Sequence, residues 1–297
     1  MRILITGTAG QVGHALRDAL AGLGELIAAD RSVLDLSAPP EQIRARVRAL
    51  APQLIINPAA YTAVDRAEQE PRLARAVNAV APGALAEAAR ELDCPLVHFS
   101  TDYVFDGSGQ APWQEDDPCQ PLSVYGRTKH DGELAVAASG ARHLVLRTSW
   151  VYSLGGRNFL ATMARLAGER AELRVVADQF GAPTTSLAIA RATRALVTPL
   201  LAGGGPASGV YHLSCAGRVS WCGFAQAIMD RLPRVRAALG MPPCAAPQVT
   251  PIGTADYPTP ARRPANSVLS NRKLTQATGI ALPHWEAALD DLLDTAG

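Results

Sequence analysis

Residues Ile3-Leu4-Ile5 form a short apolar run rich in β-branched side chains, and Gly7-Thr8-Ala9-Gly10-Gln11-Val12-Gly13 follows at once. Apolar positions then recur at helical spacing through Leu16, Leu20 and Leu23. A strand that is apolar along its length is buried on both faces, which places it inside a parallel sheet covered by helices. Strand, glycine turn and helix in this order are the context that a dinucleotide fingerprint needs. Glycines let the backbone close on a pyrophosphate, and the helix start supplies free N–H groups and the positive end of its dipole. The spacing is G-x-x-G-x-x-G rather than G-x-G-x-x-G. This stretch predicts an α/β fold, a doubly wound parallel sheet of Rossmann type, with Gly7, Gly10 and Gly13 as candidate cofactor contacts. A tight turn of purely structural use is the alternative.

The chain continues in the same alternation. Leu26-Ile27-Ala28-Ala29-Asp30 reads as a second strand ending in an acid. An acid about twenty residues past the fingerprint suits hydrogen bonds to ribose hydroxyls, whereas the guanidinium of Arg31 beside it suits a 2′-phosphate. The pair leaves NADH and NADPH both open, and Asp30 equally fits a turn or helix cap. A helix start at Pro39-Pro40-Glu41 leads to a third strand at Leu54–Asn57, followed by the small residues Pro58-Ala59-Ala60 and then Tyr61-Thr62. Small residues there let a cofactor lie flat over the strand ends. Pro82 starts a helix, and Pro95–Phe99 is a fourth strand running into Ser100-Thr101-Asp102. Its hydroxyls arrive at the carboxyl edge of the sheet, where Thr101 can share a substrate oxygen with another donor or merely cap a turn.

Tyr125 and Lys129 supply that second donor. If the chain is helical from Tyr125, the two lie one turn apart on one face. A free phenol titrates near pH ~10, and an adjacent cation favours the phenolate, so the pair is a proton donor or acceptor for a carbonyl or alcohol. A surface tyrosine packed beside a solvated lysine has the same spacing.

Taken together, Gly7-x-x-Gly10-x-x-Gly13, Asp30, the Asn57–Glu68 segment, Ser100–Gly107 and Tyr125-x-x-x-Lys129 resemble the extended short-chain dehydrogenase/reductase superfamily, and closely its dTDP-4-dehydrorhamnose reductase family. Arg147–Tyr152, Asn158-Phe159, Asp178–Thr184 and Arg262–Ser267 extend the resemblance over most of the chain, with Pro233–Pro251 the least distinctive part. The resemblance implies reduction of the 4-keto group of dTDP-4-dehydro-L-rhamnose, with hydride from NADPH or NADH and the proton from Tyr125. It implies catalytic roles for Tyr125, Lys129 and Thr101. It implies cofactor contacts at Gly10, Gln11, Val12, Asp30, Asp35, Leu36, Ala60, Tyr61, Thr62, Tyr125 and Lys129, and substrate contacts at Thr101, Asp102, Tyr125 and Trp150. Two rivals are an epimerase or 4,6-dehydratase of the same superfamily and a non-catalytic NADP-binding regulatory subunit. Dehydratases resemble Thr-Asp-Glu after the fourth strand, where this chain has Tyr103, and a silent subunit has lost the tyrosine or lysine present here.

After a fifth strand at His143–Arg147 the regular alternation stops. Residues 1–152 are expected to form the NAD(P)-binding domain, with segments of about 173–215 returning to it. About 153–172 and 216–297 are expected to form most of a smaller substrate lobe, with irregular walls over the proline-rich Pro242–Pro264. The formal net charge of +1 shows no basic stripe for nucleic acid or a membrane surface. Five cysteines with no Cys-x-x-Cys pair argue against a disulfide framework or zinc site and fit the cytoplasm. The first apolar run is too short for a signal peptide or membrane span. Some members of the family dimerise through a magnesium ion held by glutamates. Here His14 and Ser186-Leu187-Ala188 stand near those positions and offer no hard oxygen anion, so a monomer without a metal bridge is expected.

Overall fold

The computed structural model describes residues 1–295. Its centre is a six-stranded, wholly parallel sheet. Strands β1 (Arg2–Thr6), β2 (Glu25–Ala29), β3 (Leu54–Asn57), β4 (Leu96–Thr101), β5 (His143–Thr148) and the Gly209–His212 strand lie side by side. Their order across the sheet is Gly209–His212, β5, β4, β3, β1, β2. Alternate residues point to opposite faces, so each strand feeds two cores. Ile3, Ile5, Leu54, Ile56, Val97 and Phe99 pack with helix α1 (Gln11–Leu20) and the Ser186–Leu201 helix. Leu4, Ile55, Leu96 and Val145 pack on the other side with helix α2 (Pro40–Leu50) and the Ala81–Glu91 and Val124–Ala138 helices. This is the doubly wound arrangement. The winding reverses between β1 and β3, which opens a crevice at the carboxyl ends of those strands.

Two elements differ from the sequence reading. The helix expected from Pro82 begins at Pro71 and runs through a π-helical turn at Ala76–Val80 into Ala81–Glu91. A proline inside a helix crowds the carbonyl four residues earlier, here that of Asn78, and the wider turn takes up the misfit. The proline-rich span also holds a strand, Gln248–Ile252, which pairs in parallel with Glu172–Val176 in a separate two-stranded sheet. Gln248 N–H donates to the Ala171 carbonyl, so by the two-residue alternation the Pro251 nitrogen faces the open edge, where no donor is missed.

The Val124–Ala138 helix is seated unusually close to its neighbours. A Cβ at Gly132 would lie 2.1 Å from the Asn78 carbonyl oxygen, so only glycine admits that approach. One residue on, Glu133 reaches across to β5. Arg147 Nε and Nη2 donate to its two oxygens at 2.9 and 2.7 Å, with both side chains 4% exposed. Burial raises the Glu133 pKa, but the Arg147 bonds, assisted by His130, outweigh it and bring it to about 2. The folded value lies below the unfolded one. The pair's stabilisation is therefore complete above about pH 4.5 and is lost as pH falls toward about 2. Glu133→Ala strands a buried guanidinium and should cost about 3–5 kcal/mol in urea unfolding at neutral pH. A loss below about 1 kcal/mol would show that Arg147 is satisfied by its bonds to the Glu115 carbonyl and Cys119.

Candidate active site

The crevice is one cleft of about 1370 Å³, and it joins the glycine turn to the tyrosine–lysine pair. Gly7, Gly10, Gln11, Val12 and Gly13 line it at one side, Ala60 and Thr62 along the floor, and Thr101, Asp102, Tyr125, Lys129 and Trp150 at the other. At the start of α1, Gly10 occupies the cap position with no side chain capping the helix. The first-turn N–H groups therefore have no intrahelical or side-chain acceptor, as anion binding requires. Gly13 lets the helix close on the turn, since a Cβ there would sit 2.2 Å from the Gly7 carbonyl oxygen. These residues fit a dinucleotide pyrophosphate.

Tyr125 and Lys129 stand in the first turns of the Val124–Ala138 helix, whose start is fixed twice. Ser123 Oγ accepts from Gly126 N–H at 3.1 Å, and Glu68 Oε1 accepts from Val124 N–H at 2.7 Å. Glu68 belongs to the segment after β3, and its neighbours there are equally engaged. Asp65 takes two bonds from Arg263 at 3.0 and 2.7 Å, which ties the segment to the C-terminal part of the chain. Asn78, in the π turn, accepts from Tyr61 N–H, donates to the Tyr61 carbonyl and donates to Thr128 Oγ1. It thus joins the loop after β3 to the Val124–Ala138 helix, a role that no local pattern in the sequence marked.

The electrostatics differ from the sequence expectation. Burial pushes the Tyr125 phenol up to about 12, with the Thr101 hydroxyl acting in the opposite direction and Asp102 adding to the rise. Lys129 is 1% exposed and donates to the Phe99 carbonyl at 2.6 Å. Its ammonium is turned to that carbonyl and not to the phenol, and burial, opposed by Glu133, brings its pKa down to about 8. The tyrosine is therefore held in its proton-bearing form. Burial also raises Asp102 to about 6, with the hydroxyls of Ser267, Thr101 and Ser149 pulling it down. Thr101 Oγ1 donates to Asp102 Oδ1 at 3.1 Å, and the buried Asp102 Oδ2 has no partner among the described residues.

Trp150 has a left-handed backbone, φ 47°, and its ring stacks on Trp221 at 3.4 Å between centroids. Trp221 lines the cleft from a distant part of the chain and was not singled out in the sequence; a tryptophan right after the helix-capping Ser220 was the available signal. Not every expected contact reaches the cleft wall. Asp30 Oδ1 accepts from Ser32 N–H, Ser32 Oγ and Val33 N–H, which lowers its pKa. Arg31 pairs with Asp35 at 3.5 Å and Leu36 is buried, so these four form the loop after β2, outside the cleft lining. The Tyr61 hydroxyl donates to Glu70 at 2.5 Å. Cys119, His130 and Glu133 stand close enough together to ligate a metal, but the guanidinium of Arg147 already supplies the positive charge there.

The comparisons with known proteins agree with this geometry. The RmlD substrate binding domain family matches residues 1–297. The dTDP-4-dehydrorhamnose reductase of Burkholderia thailandensis is 48% identical over 292 residues, covering 97% of each chain. A dTDP-4-dehydrorhamnose reductase structure from Clostridium acetobutylicum superposes with a TM-score of 0.88 at 36% identity, covering 99% of both chains. The Bacillus anthracis enzyme of that name, solved in complex with NADP, gives 0.86 at 32% identity, again covering 99% of both chains. With fold, cleft and full-length similarity in agreement, the chain belongs to the dTDP-4-dehydrorhamnose reductase family.

Proposed function

We propose that this protein reduces the 4-keto group of dTDP-4-dehydro-L-rhamnose to give dTDP-L-rhamnose, using NADPH or NADH. The observation that carries this reading is the single cleft in which an uncapped helix start, a half-buried tyrosine and a buried threonine and lysine meet. The nicotinamide cofactor supplies the hydride. The first-turn amides at Gln11, Val12 and Gly13, with Gly7 and Gly10, hold its pyrophosphate, and Ala60, Tyr61 and Thr62 flank it. Asp30, Arg31, Asp35 and Leu36 receive the adenosine ribose end. Asp30 repels a 2′-phosphate that Arg31 attracts, so both cofactors are accepted with modest discrimination.

Tyr125 gives its proton to the oxygen on sugar C4, and the raised pKa suits this, because a phenol at about 12 is fully protonated at neutral pH. Thr101 hydrogen-bonds the same oxygen. Asp102 Oδ2, buried without a partner, accepts from a sugar hydroxyl, and Trp150 covers a ring face. Lys129 holds the nicotinamide ribose. Residues 1–152 with parts of 173–215 carry the cofactor, and 153–172 with 216–297 carry most of the sugar. The reading places the enzyme in the cytoplasm without nucleic-acid or membrane partners; all five cysteines are free, and no described helix is long and apolar enough to cross a membrane.

Incubation with the ketosugar and NADPH should consume reduced nicotinamide. Tyr125→Phe keeps the ring and removes the proton, so turnover should fall about 10²–10⁴-fold with little change in the Kd for NADPH. Lys129→Met should lower turnover and cofactor affinity together, and Thr101→Val should cost roughly 1–3 kcal/mol in the barrier. Near wild-type turnover by Tyr125→Phe would remove the tyrosine from the mechanism. In the same assay, a preference for either cofactor above about a thousandfold, or about 4 kcal/mol, would show that Asp30 and Arg31 do not share the ribose.

The protein acts as a monomer in this reading, since His14 and Ser186–Ala188 offer no anionic oxygen for a magnesium bridge. Light scattering should give one mass with and without EDTA. A dimer that dissociates on chelation would contradict it.

A further inference from the structure

Four buried polar side chains run in line beneath the cleft, from the end of β1 to the catalytic helix. Thr6, Asn57, His98 and Lys129 are each at most 1% exposed. Thr6 Oγ1 lies 2.6 Å from Asn57 Oδ1, Asn57 Nδ2 lies 3.0 Å from His98 Nδ1, and His98 Nε2 lies 3.4 Å from Lys129 Nζ. None of the roles assigned above uses Thr6, Asn57 or His98. A core of small apolar side chains would fill the same space without the desolvation of four polar groups.

We propose that His98, oriented by Thr6 through Asn57, is a positioning residue that fixes both the place of the Lys129 amine and its readiness to release a proton. This rests on the reductase reading for its purpose but not for its test.

The hydrogen-bond directions carry the argument. Thr6 Oγ1 accepts from Ala59 N–H at 3.4 Å, so its own proton goes to Asn57 Oδ1. The Asn57 amide then turns its NH₂ toward His98 Nδ1. An NH₂ only donates, so Nδ1 carries the lone pair, and the proton of the neutral ring sits on Nε2. That N–H faces Lys129. An ammonium has only donors to set against it, whereas a neutral amine has a lone pair to accept it. The Phe99 carbonyl, at 2.6 Å, accepts from Nζ in either state. His98 stays neutral because it is wholly buried, and beside that Lys129 disfavours a second charge, with Glu133 and the Asn57 backbone acting the other way.

The other charges around Lys129 are few. Glu133, one turn along the same helix, favours the ammonium but is neutralised by Arg147 of β5. Asp102 lies just beyond β4 and Tyr125 shares the helix face. From the Pro71–Glu91 side the uncharged Asn78 meets this helix, and Arg75 pairs with Asp131 at 3.9 Å on its exposed flank. Burial already brings the lysine to about 8, and an imidazole N–H pointed at the amine acts in the same direction. A lysine poised there exchanges protons readily at neutral pH, as restoring the proton of Tyr125 after each turnover requires.

The chain contains two lysines, Lys129 and Lys273, so protein labelled in its lysine side chains gives two NMR signals, and Lys273→Arg assigns them. Two variants reverse the hydrogen bond at Nε2. In Asn57→Asp the carboxylate only accepts, draws the ring proton to Nδ1 and turns the Nε2 lone pair to the amine. In His98→Gln the amide oxygen is free to face the amine directly. Each should raise the Lys129 titration midpoint by about one pH unit, and the matching limb of the kcat/KM profile should move with it. The Kd for NADPH and the Tm report whether each variant is folded. Folded variants whose Lys129 midpoint is unchanged, or whose activity falls equally at every pH, would reduce His98 to a packing residue and overturn the proposal. The titration needs no substrate, so failure of the reductase reading would leave the midpoint shift intact.

Discussion

The constraint on which this structure depends is the burial of a lysine. An ammonium at 1% exposure is tolerated only when its protons are satisfied and its surroundings are fixed. The Phe99 carbonyl takes one of those protons from inside β4, and a neutral amine leaves fewer to satisfy. Its surroundings are fixed by the seating of the helix that carries Lys129. Gly132 lets that helix touch the Asn78 carbonyl, Glu133 locks it to Arg147, and Ser123 and Glu68 cap its start. Loosen any of these and the amine and phenol lose their place relative to Thr101.

The same burial sets the division of labour in the cleft. Desolvation pushes Tyr125 up to about 12 and Lys129 down to about 8, so the phenol keeps its proton while the amine approaches neutrality. Asp102, raised to about 6, retains an oxygen with no internal partner. Beside them, Trp150 holds a left-handed backbone that a non-glycine residue rarely adopts, and its ring is clamped against Trp221. The cleft thus combines polar, proton-handling groups with a rigid aromatic surface, a pairing suited to a sugar with a reactive carbonyl and apolar faces on its ring.

What the sequence made legible were features carried by local pattern. The alternation of buried strands with helices, the glycine turn and the Tyr125–Lys129 spacing each need only a few neighbouring residues, and the parallel sheet follows from them. What stayed hidden depends on pairs far apart in the chain. Asn78 is one polar residue in a helix until Tyr61 and Thr128 close on it. Trp221 means little before it meets Trp150, and His98 in an apolar strand reads as a strand residue until Asn57 and Lys129 flank it. The proline-rich span concealed a strand because proline is read as a breaker, whereas Pro251 faces an open edge. The lysine's effect on the tyrosine was misjudged for a related reason. Spacing places two groups on one face, but where an amine points is decided by the carbonyl and ring that the fold brings to it.

The central claim is that this cleft delivers hydride to one carbon of a ketosugar. Reduction of dTDP-4-dehydro-L-rhamnose with nicotinamide cofactor carrying deuterium on the transferring face tests it directly, with the product read by NMR. The account predicts one deuterium, on C4 of the product sugar, in the wild-type protein and at correspondingly reduced rate in Tyr125→Phe. Deuterium at another carbon, or turnover of the sugar with none incorporated, would contradict it.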